Sequence, residues 1–81
     1  MDDVRFWDRI ARRYARHPIK DMAGYRRTLE STRGRLRASD SVLEIGCGTG
    51  TTALALAPSV ARLVGTDMSR EMIAIAREKA E

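Results

Sequence analysis

Val42-Leu43-Glu44-Ile45-Gly46-Cys47-Gly48-Thr49-Gly50 is the stretch on which the architecture of this 81-residue chain turns. Val42, Leu43 and Ile45 form a nearly continuous apolar run with only Glu44 inside it, the pattern of a short strand buried on both faces, as in parallel sheets. Three glycines follow at alternate positions. Lacking a Cβ, they can take positive φ and let a ligand lie against bare backbone. Downstream, Thr51 to Ala57 is rich in Ala and Leu and meets Pro58, which predicts a short helix ending there. Arg62 to Thr66 then reads as a second strand that delivers Asp67 at its end. Strand, glycine loop, helix, strand and terminal acid make the first βαβ half of a nucleotide-binding α/β fold.

Working outward, Ser69 suits an N-cap, while Glu71 in the first turn and Lys79 near the end both complement a helix dipole. The spacing predicts a last helix over Arg70 to Ala80 with Met72, Ile73, Ile75 and Ala76 on its apolar side. Toward the amino terminus, Trp7, Ile10, Ala11 and Tyr14 recur at i, i+3, i+4 and i+7, one face of a helix from about Asp3 to Arg16. His17-Pro18 ends it, because the residue before proline is pushed out of the helical region. A second helix begins near Asp21, whose carboxylate can cap it. Met22, Tyr25, Leu29 and then Thr32 or Arg33 set its inner face, and Gly34 offers a left-handed stop. The order is helix, helix, strand, helix, strand, helix. Residues 1–40 read as a helical cap segment and 41–81 as the first βαβα unit of a cofactor-binding domain.

Spacing narrows the ligand. A dinucleotide loop of the form G-x-G-x-x-G starting at Gly46 would need glycine where Thr51 stands, and the Gly-Lys-Ser/Thr ending of a phosphate-cradling P-loop is absent. What the chain carries is Glu44-Ile45-Gly46-Cys47-Gly48-Thr49-Gly50, followed by Val64-Gly65-Thr66-Asp67-Met68-Ser69. This pair of elements resembles the first glycine motif and the second-strand acid of class I, Rossmann-like S-adenosylmethionine-dependent methyltransferases. Their order, with seventeen positions from Gly50 to Asp67, is more specific than either element alone.

The resemblance implies an α/β fold, the N-terminal portion of a doubly wound parallel sheet, and S-adenosylmethionine as cofactor. Gly46, Gly48 and Gly50, with Cys47 between them, would form the floor under the cofactor, and Glu44 would orient the loop and, indirectly, the cofactor's ammonium. Asp67 would accept hydrogen bonds from the ribose hydroxyls, a task for an acceptor-only carboxylate. Met68 would lie against adenine, where a thioether makes favourable aromatic contact. Many members begin with a helix whose aromatic and tyrosine cover the cofactor, and Phe6, Trp7, Ala11 and Tyr14 look like that segment. Plain core contacts of an amphipathic helix explain Trp7 and Tyr14 equally well. Cys47 reads as a small filler, with no basic partner nearby in sequence to activate it. Glu44 has a second reading as a cap of the loop.

Composition bounds the remainder. Apolar content of 43% and charged content of 32% are those of a folded globular chain. Cys47 is the single cysteine, so neither an internal disulfide nor a cysteine-based metal cage can form, and a reducing cytoplasm is the expected compartment. Acids at Asp2, Asp3 and Asp8 stand where a signal peptide needs positive charge. No run approaches the roughly 20 apolar residues that cross a bilayer. Residues 1–40 carry eleven Lys and Arg against six acids, and the remainder four against five. Polyanion binding through Arg9, Arg12, Arg13 and Arg16 is one consequence to weigh. Interleaved acids and an opposite apolar stripe make these arginines read as an ordinary solvated helix face, so nucleic acid is not the expected partner.

The family's further strands, its acceptor pocket and any acid or base come after the point reached at Glu81. The 81 residues therefore read as an incomplete piece, inactive alone, of an enzyme whose methyl acceptor nothing here describes, and no catalytic residue is named. Two strands alone leave their edges unpaired, which predicts a homo-oligomer. A non-catalytic assembly module that associates through those edges is the competing expectation.

Overall fold

A computed structural model describes residues 3–81 of the chain. The elements run α1 (Asp3–Arg16), α2 (Met22–Arg33), β1 (Ser41–Ile45), α3 (Thr51–Leu56), β2 (Arg62–Thr66) and α4 (Arg70–Ala80). Type and order match the expectation throughout. The two strands pair in parallel, from Ser41 opposite Arg62 to Ile45 opposite Thr66, which sets Glu44 beside Gly65. Parallel pairing brings both strand ends, and so the glycine loop and Asp67, to one edge of the sheet.

The close packing around that sheet is built from small residues. A Cβ on Gly65 would stand 3.2 Å from the Cys47 Sγ and 3.8 Å from the Ala53 Cβ, so the absent side chain lets the loop and α3 settle onto β2. Leu63 and Gly65 share a hollow with Ala53 of α3 and Ile73 and Ala76 of α4, which puts both helices on the same side of the sheet. The other face is bare. Leu43 is 62%, Ile45 82% and Val64 40% exposed. Burial of β1 on both faces, expected from its apolar run, is therefore corrected to one face. An apolar run reports what the residues are, and among the described residues nothing lies over that side.

The core sits between α1 and α4. Ala11 is fully buried against Met72 and Ile75, each worth about 1.5–3 kcal/mol on burial. Ala11 has no bulk of its own, so the two helices approach closely at that point. Polar contacts fix their angle. Ser69 caps α4 by accepting from the Met72 amide at 3.2 Å, and its hydroxyl donates to Asp8 of α1 at 2.5 Å. The Glu71 amide also donates to Asp8, at 3.3 Å. Arg12 makes a forked pair with Glu78, at 2.7 and 2.9 Å, on the exposed side of the same contact.

Two boundaries of α2 and α3 differ in detail from the expectation. Asp21 does cap α2, accepting from the Gly24 amide at 2.9 Å. Gly34, however, is right-handed, with φ −64° and ψ −17°. Its amide still reaches the Glu30 carbonyl, and Arg35 and Leu36 donate to Thr32 and Arg33, so the helix unwinds through tight right-handed turns and never needs the left-handed residue. Met22 is exposed where an inner position was expected. It stands in the first turn of α2, and that helix meets α3 further along, where Tyr25 hydrogen-bonds Thr52 at 2.8 Å and Arg33 donates to the Ala55 carbonyl at 3.2 Å. The short helix α3 stops at Leu56, and Pro58 sits in a 3₁₀ turn over Ala57–Ser59, where its missing N–H costs nothing.

Candidate functional site

The site is assembled at the strand ends. Beyond Ile45 the chain turns over the tip of β2, with the amides of Gly46 and Cys47 both donating to the Thr66 carbonyl at 2.7 and 2.8 Å. Thr66 answers with its own hydroxyl, which donates to the Glu44 carbonyl at 3.1 Å. Such a reversal needs left-handed backbone, and Gly46, Gly48 and Gly50 have φ of +76°, +57° and +84°. The loop is then tied to α4, where the Lys79 ammonium donates to the hydroxyls of Thr51 at 3.0 Å and Thr49 at 3.4 Å.

Asp67 is the organising carboxylate. Its Oδ2 accepts the Gly48 amide at 2.9 Å and its Oδ1 accepts the Ser69 amide at 2.9 Å. One side chain thus braces the glycine loop and the entry to α4 together. An ionised carboxylate has about four lone-pair positions, so two acceptor sites remain for a ligand.

These groups face a cleft of about 500 Å³ lined by Tyr14, Gly46, Gly48, Asp67 and Met68, with Trp7 and Met72 closing it. Five of the eight residues singled out in the sequence therefore come together. Trp7 meets Tyr14 edge to face at 5.9 Å and Phe6 at 5.3 Å, an aromatic wall contributed by α1 in which Trp7 and Tyr14 are both exposed. Met68 is 69% exposed on the other side. A second cleft, of about 480 Å³, shares Tyr14, Gly46 and Gly48 and adds Cys47, Tyr25 and the hydroxyls of Thr49, Thr51 and Thr52.

The remaining two candidates lie elsewhere. Gly50 faces α4, where a Cβ would stand 2.9 Å from that of Ala76, so its role is close packing. Glu44 points to the covered side of the sheet. Its Oε1 is buried without a hydrogen-bond partner among the described residues, and burial raises its pKa above the ordinary carboxylate value. Burial likewise raises the Cys47 thiol, helped by the negative charges of Glu44 and Asp67. A thiol held protonated in this way is a poor nucleophile, in keeping with a filler role.

Sequence reasoning missed Asp8, which reaches from α1 to the start of α4, and Thr66 and Met72 as wall residues of the cleft. Thr66 had a local signal, as the last strand residue before the acid. Asp8 had none, because its partners are more than 60 positions away.

The family described as "Methyltransferase domain" matches residues 42–81, from β1 through the glycine loop, Asp67 and α4. That match takes in 40 of the 81 residues and makes this stretch similar to methyltransferase domains. Among similar methyltransferases, the tRNA (uracil-5-)-methyltransferase homolog A of Mus musculus is 46% identical over 46 residues, which are 57% of this chain and 8% of that protein. The uncharacterized methyltransferase YcgJ of Bacillus subtilis is 44% identical over 45 residues, 56% of this chain and 18% of the other. The crystal structure of YcgJ superposes with a TM-score of 0.63 at 37% identity, over 68% of this chain and 24% of that one. A dimethyladenosine transferase from Plasmodium falciparum gives 0.60 at 29% identity, over 78% and 22%. The matched stretch thus spans less than a quarter of each relative's length. The α/β fold expected from the sequence, the first portion of a Rossmann-like parallel sheet, is that of these methyltransferases.

Proposed function

We propose that the cleft between the Gly46–Gly48 loop and the Trp7–Tyr14 wall binds S-adenosylmethionine, and that the chain is the cofactor-binding part of a methyltransferase. The observation that carries this is the double anchoring of Asp67, which leaves acceptor positions free at the mouth of the cleft. A ribose diol has two donors for those two positions.

The residues present fit such a cofactor. Positions where a Cβ would stand on Gly46 and Gly48 have no atom within 4 Å, so a ligand can approach bare backbone there. Met68 offers a polarizable thioether to a purine face. Trp7 and Tyr14 offer aromatic surface to a sulfonium, a cation that benefits from π faces when water is excluded. When bound, the cofactor supplies an electrophilic methyl group on a positively charged sulfur. The protein's own part is alignment and exclusion of water, effects that lower a transfer barrier without a covalent protein intermediate. The acceptor is a nucleophile that must be held in line with that methyl group.

Titration of the 81-residue chain with S-adenosylhomocysteine, followed by calorimetry and thermal shift, tests the reading. Saturable binding that raises Tm, and that weakens at least about tenfold in Asp67→Ala, is the expected result. Asp67→Asn keeps an acceptor for the Gly48 amide and serves as the folded control, with intermediate affinity. Absence of binding by a chain whose circular dichroism is native would remove the proposal.

A further inference from the structure

The wall and the floor of the cleft belong to different parts of the chain, and one buried side chain stands between them. Trp7 and Tyr14 lie on α1, whereas Gly48 and Asp67 follow β1 and β2. Ser69 is fully buried at the start of α4. Its amide donates to Asp67 Oδ1 at 2.9 Å, and its hydroxyl donates to Asp8 Oδ1 at 2.5 Å. The Glu71 amide donates to the same Asp8 oxygen at 3.3 Å. A continuous run of hydrogen bonds therefore leads from the Gly48 amide through Asp67 and Ser69 to Asp8, the chain neighbour of Trp7.

We infer, on the cofactor reading above, that Asp8 is a positioning residue of the cleft, holding the Trp7–Tyr14 wall at a fixed angle to Asp67. α1 packs chiefly on α4, and the buried apolar part of that contact is Ala11 against Met72 and Ile75. Such burial is non-directional: it keeps two helices together and sets their angle and slide only weakly. Hydrogen bonds weaken steeply off line, so the two donors that converge on Asp8 fix both. Asp8 and Trp7 are consecutive, about 100° apart round the helix, so a rotation of α1 that draws Asp8 from Ser69 carries the indole with it. The Arg12–Glu78 pair is a weaker guide, because both side chains are more than half exposed and water competes for them. As a second cap of α4 and nothing more, Asp8 would stabilise the fold and leave the wall where it is.

Trp7 is the sole tryptophan, so its emission reports the wall with or without ligand. Emission and acrylamide quenching are recorded on the 81-residue chain and its variants, followed by titration with S-adenosylhomocysteine, and circular dichroism verifies folding. Asp8→Ala should shift Trp7 emission to the red, raise quenching about twofold from the 38% exposure of the docked indole, and weaken S-adenosylhomocysteine about tenfold. Asp8→Asn keeps an oxygen that can accept both donors and should retain the parent emission, with affinity within about threefold. Ser69→Ala leaves the amide bond to Asp67 in place and should reproduce the Asp8→Ala shift, and it carries the comparison where Asp8→Ala does not fold. Arg12→Ala loosens the same helix contact elsewhere and should leave emission unchanged and affinity within about twofold. Parent-like emission in folded Asp8→Ala and Ser69→Ala, or an equal shift in Arg12→Ala, would overturn the inference. If the parent binds no S-adenosylhomocysteine, the cofactor reading falls and the emission series alone decides whether Asp8 sets the wall.

Discussion

The Asp67 carboxylate accepts the Gly48 amide at 2.9 Å, across nineteen positions of sequence, and so joins the tip of one strand to the loop that follows the other. The bond makes the site's acid a structural member as well as a proposed ligand. Asp67→Ala leaves the Gly48 and Ser69 N–H groups unpaired in part-buried positions, a loss of about 1–3 kcal/mol for each. Asp67→Asn keeps one acceptor oxygen, enough for one of the two amides, and should lose less than Asp67→Ala. Urea unfolding of the two variants gives the comparison, and equal losses would mean that the bond contributes nothing.

Gly50 and Gly48 separate two uses of glycine. At Gly50 an alanine faces left-handed backbone and an Ala76 Cβ 2.9 Å away, so Gly50→Ala should cost about 2–4 kcal/mol. At Gly48 the space is open and only the backbone term applies, about 1–2 kcal/mol. Ligand affinity should show the reverse order, with Gly48→Ala the more damaging because its methyl would project into the cleft. Adding Ala76→Gly to Gly50→Ala should restore about 1 kcal/mol of the loss after the helix penalty. If the two single variants unfold at the same urea concentration, the packing role of Gly50 is wrong.

Asp8 and Glu44 pull the pH dependence in opposite directions. Hydrogen bonds from the Ser69 hydroxyl and the Glu71 amide hold the Asp8 carboxyl below its ordinary value. Its stabilisation is complete above the unfolded pKa, near 3.9, and is lost as pH falls through the lower folded value. Glu44 is raised by burial, so its contribution favours low pH and is lost as pH rises through the folded value. Glu44→Gln should therefore raise Tm at about pH 7 and leave it unchanged near pH 3.5, while Asp8→Asn should lower Tm at about pH 7 and converge with the parent in acid. Thermal scans across that range decide it. A Tm for Glu44→Gln below that of the parent at neutral pH would assign Glu44 a bond that the geometry does not show.

How far the sequence foretold these relationships depends on their range. Strand, loop and helix positions were legible because Val42 to Gly50 and Arg62 to Asp67 carry their own periodicity and turn chemistry, and Asp21 and Ser69 were recognisable as caps from their neighbours. Gly34 was misread because a glycine after a helix permits a left-handed turn without requiring one. The bare sheet face was invisible for a different reason: apolarity at Leu43, Ile45 and Val64 is local, whereas cover is supplied by something distant. Within the site, Gly46, Gly48 and Asp67 followed from spacing and family likeness. Gly50's packing against Ala76 and Asp8's reach to Ser69 are properties of the folded chain alone.

That bare face leads to the last expectation. Leu43, Ile45 and Val64 lie on one side of two paired strands and are 62%, 82% and 40% exposed. Contiguous apolar surface of this kind favours association, and two strands also present unpaired backbone edges. At concentrations of about 100 μM the 81-residue chain should sediment as a mixture that shifts toward larger species with concentration. Replacing Leu43, Ile45 and Val64 together by threonine puts a β-branched residue suited to strands at each position and removes apolar surface. The triple variant should sediment closer to the monomer while its cleft residues, which include only Ile45 from this set, retain most of their affinity for S-adenosylhomocysteine. Ile45→Thr alone measures how much of any affinity loss comes from the cleft. A parent chain that stays monomeric over a tenfold concentration range would show that twist and charge already protect this face.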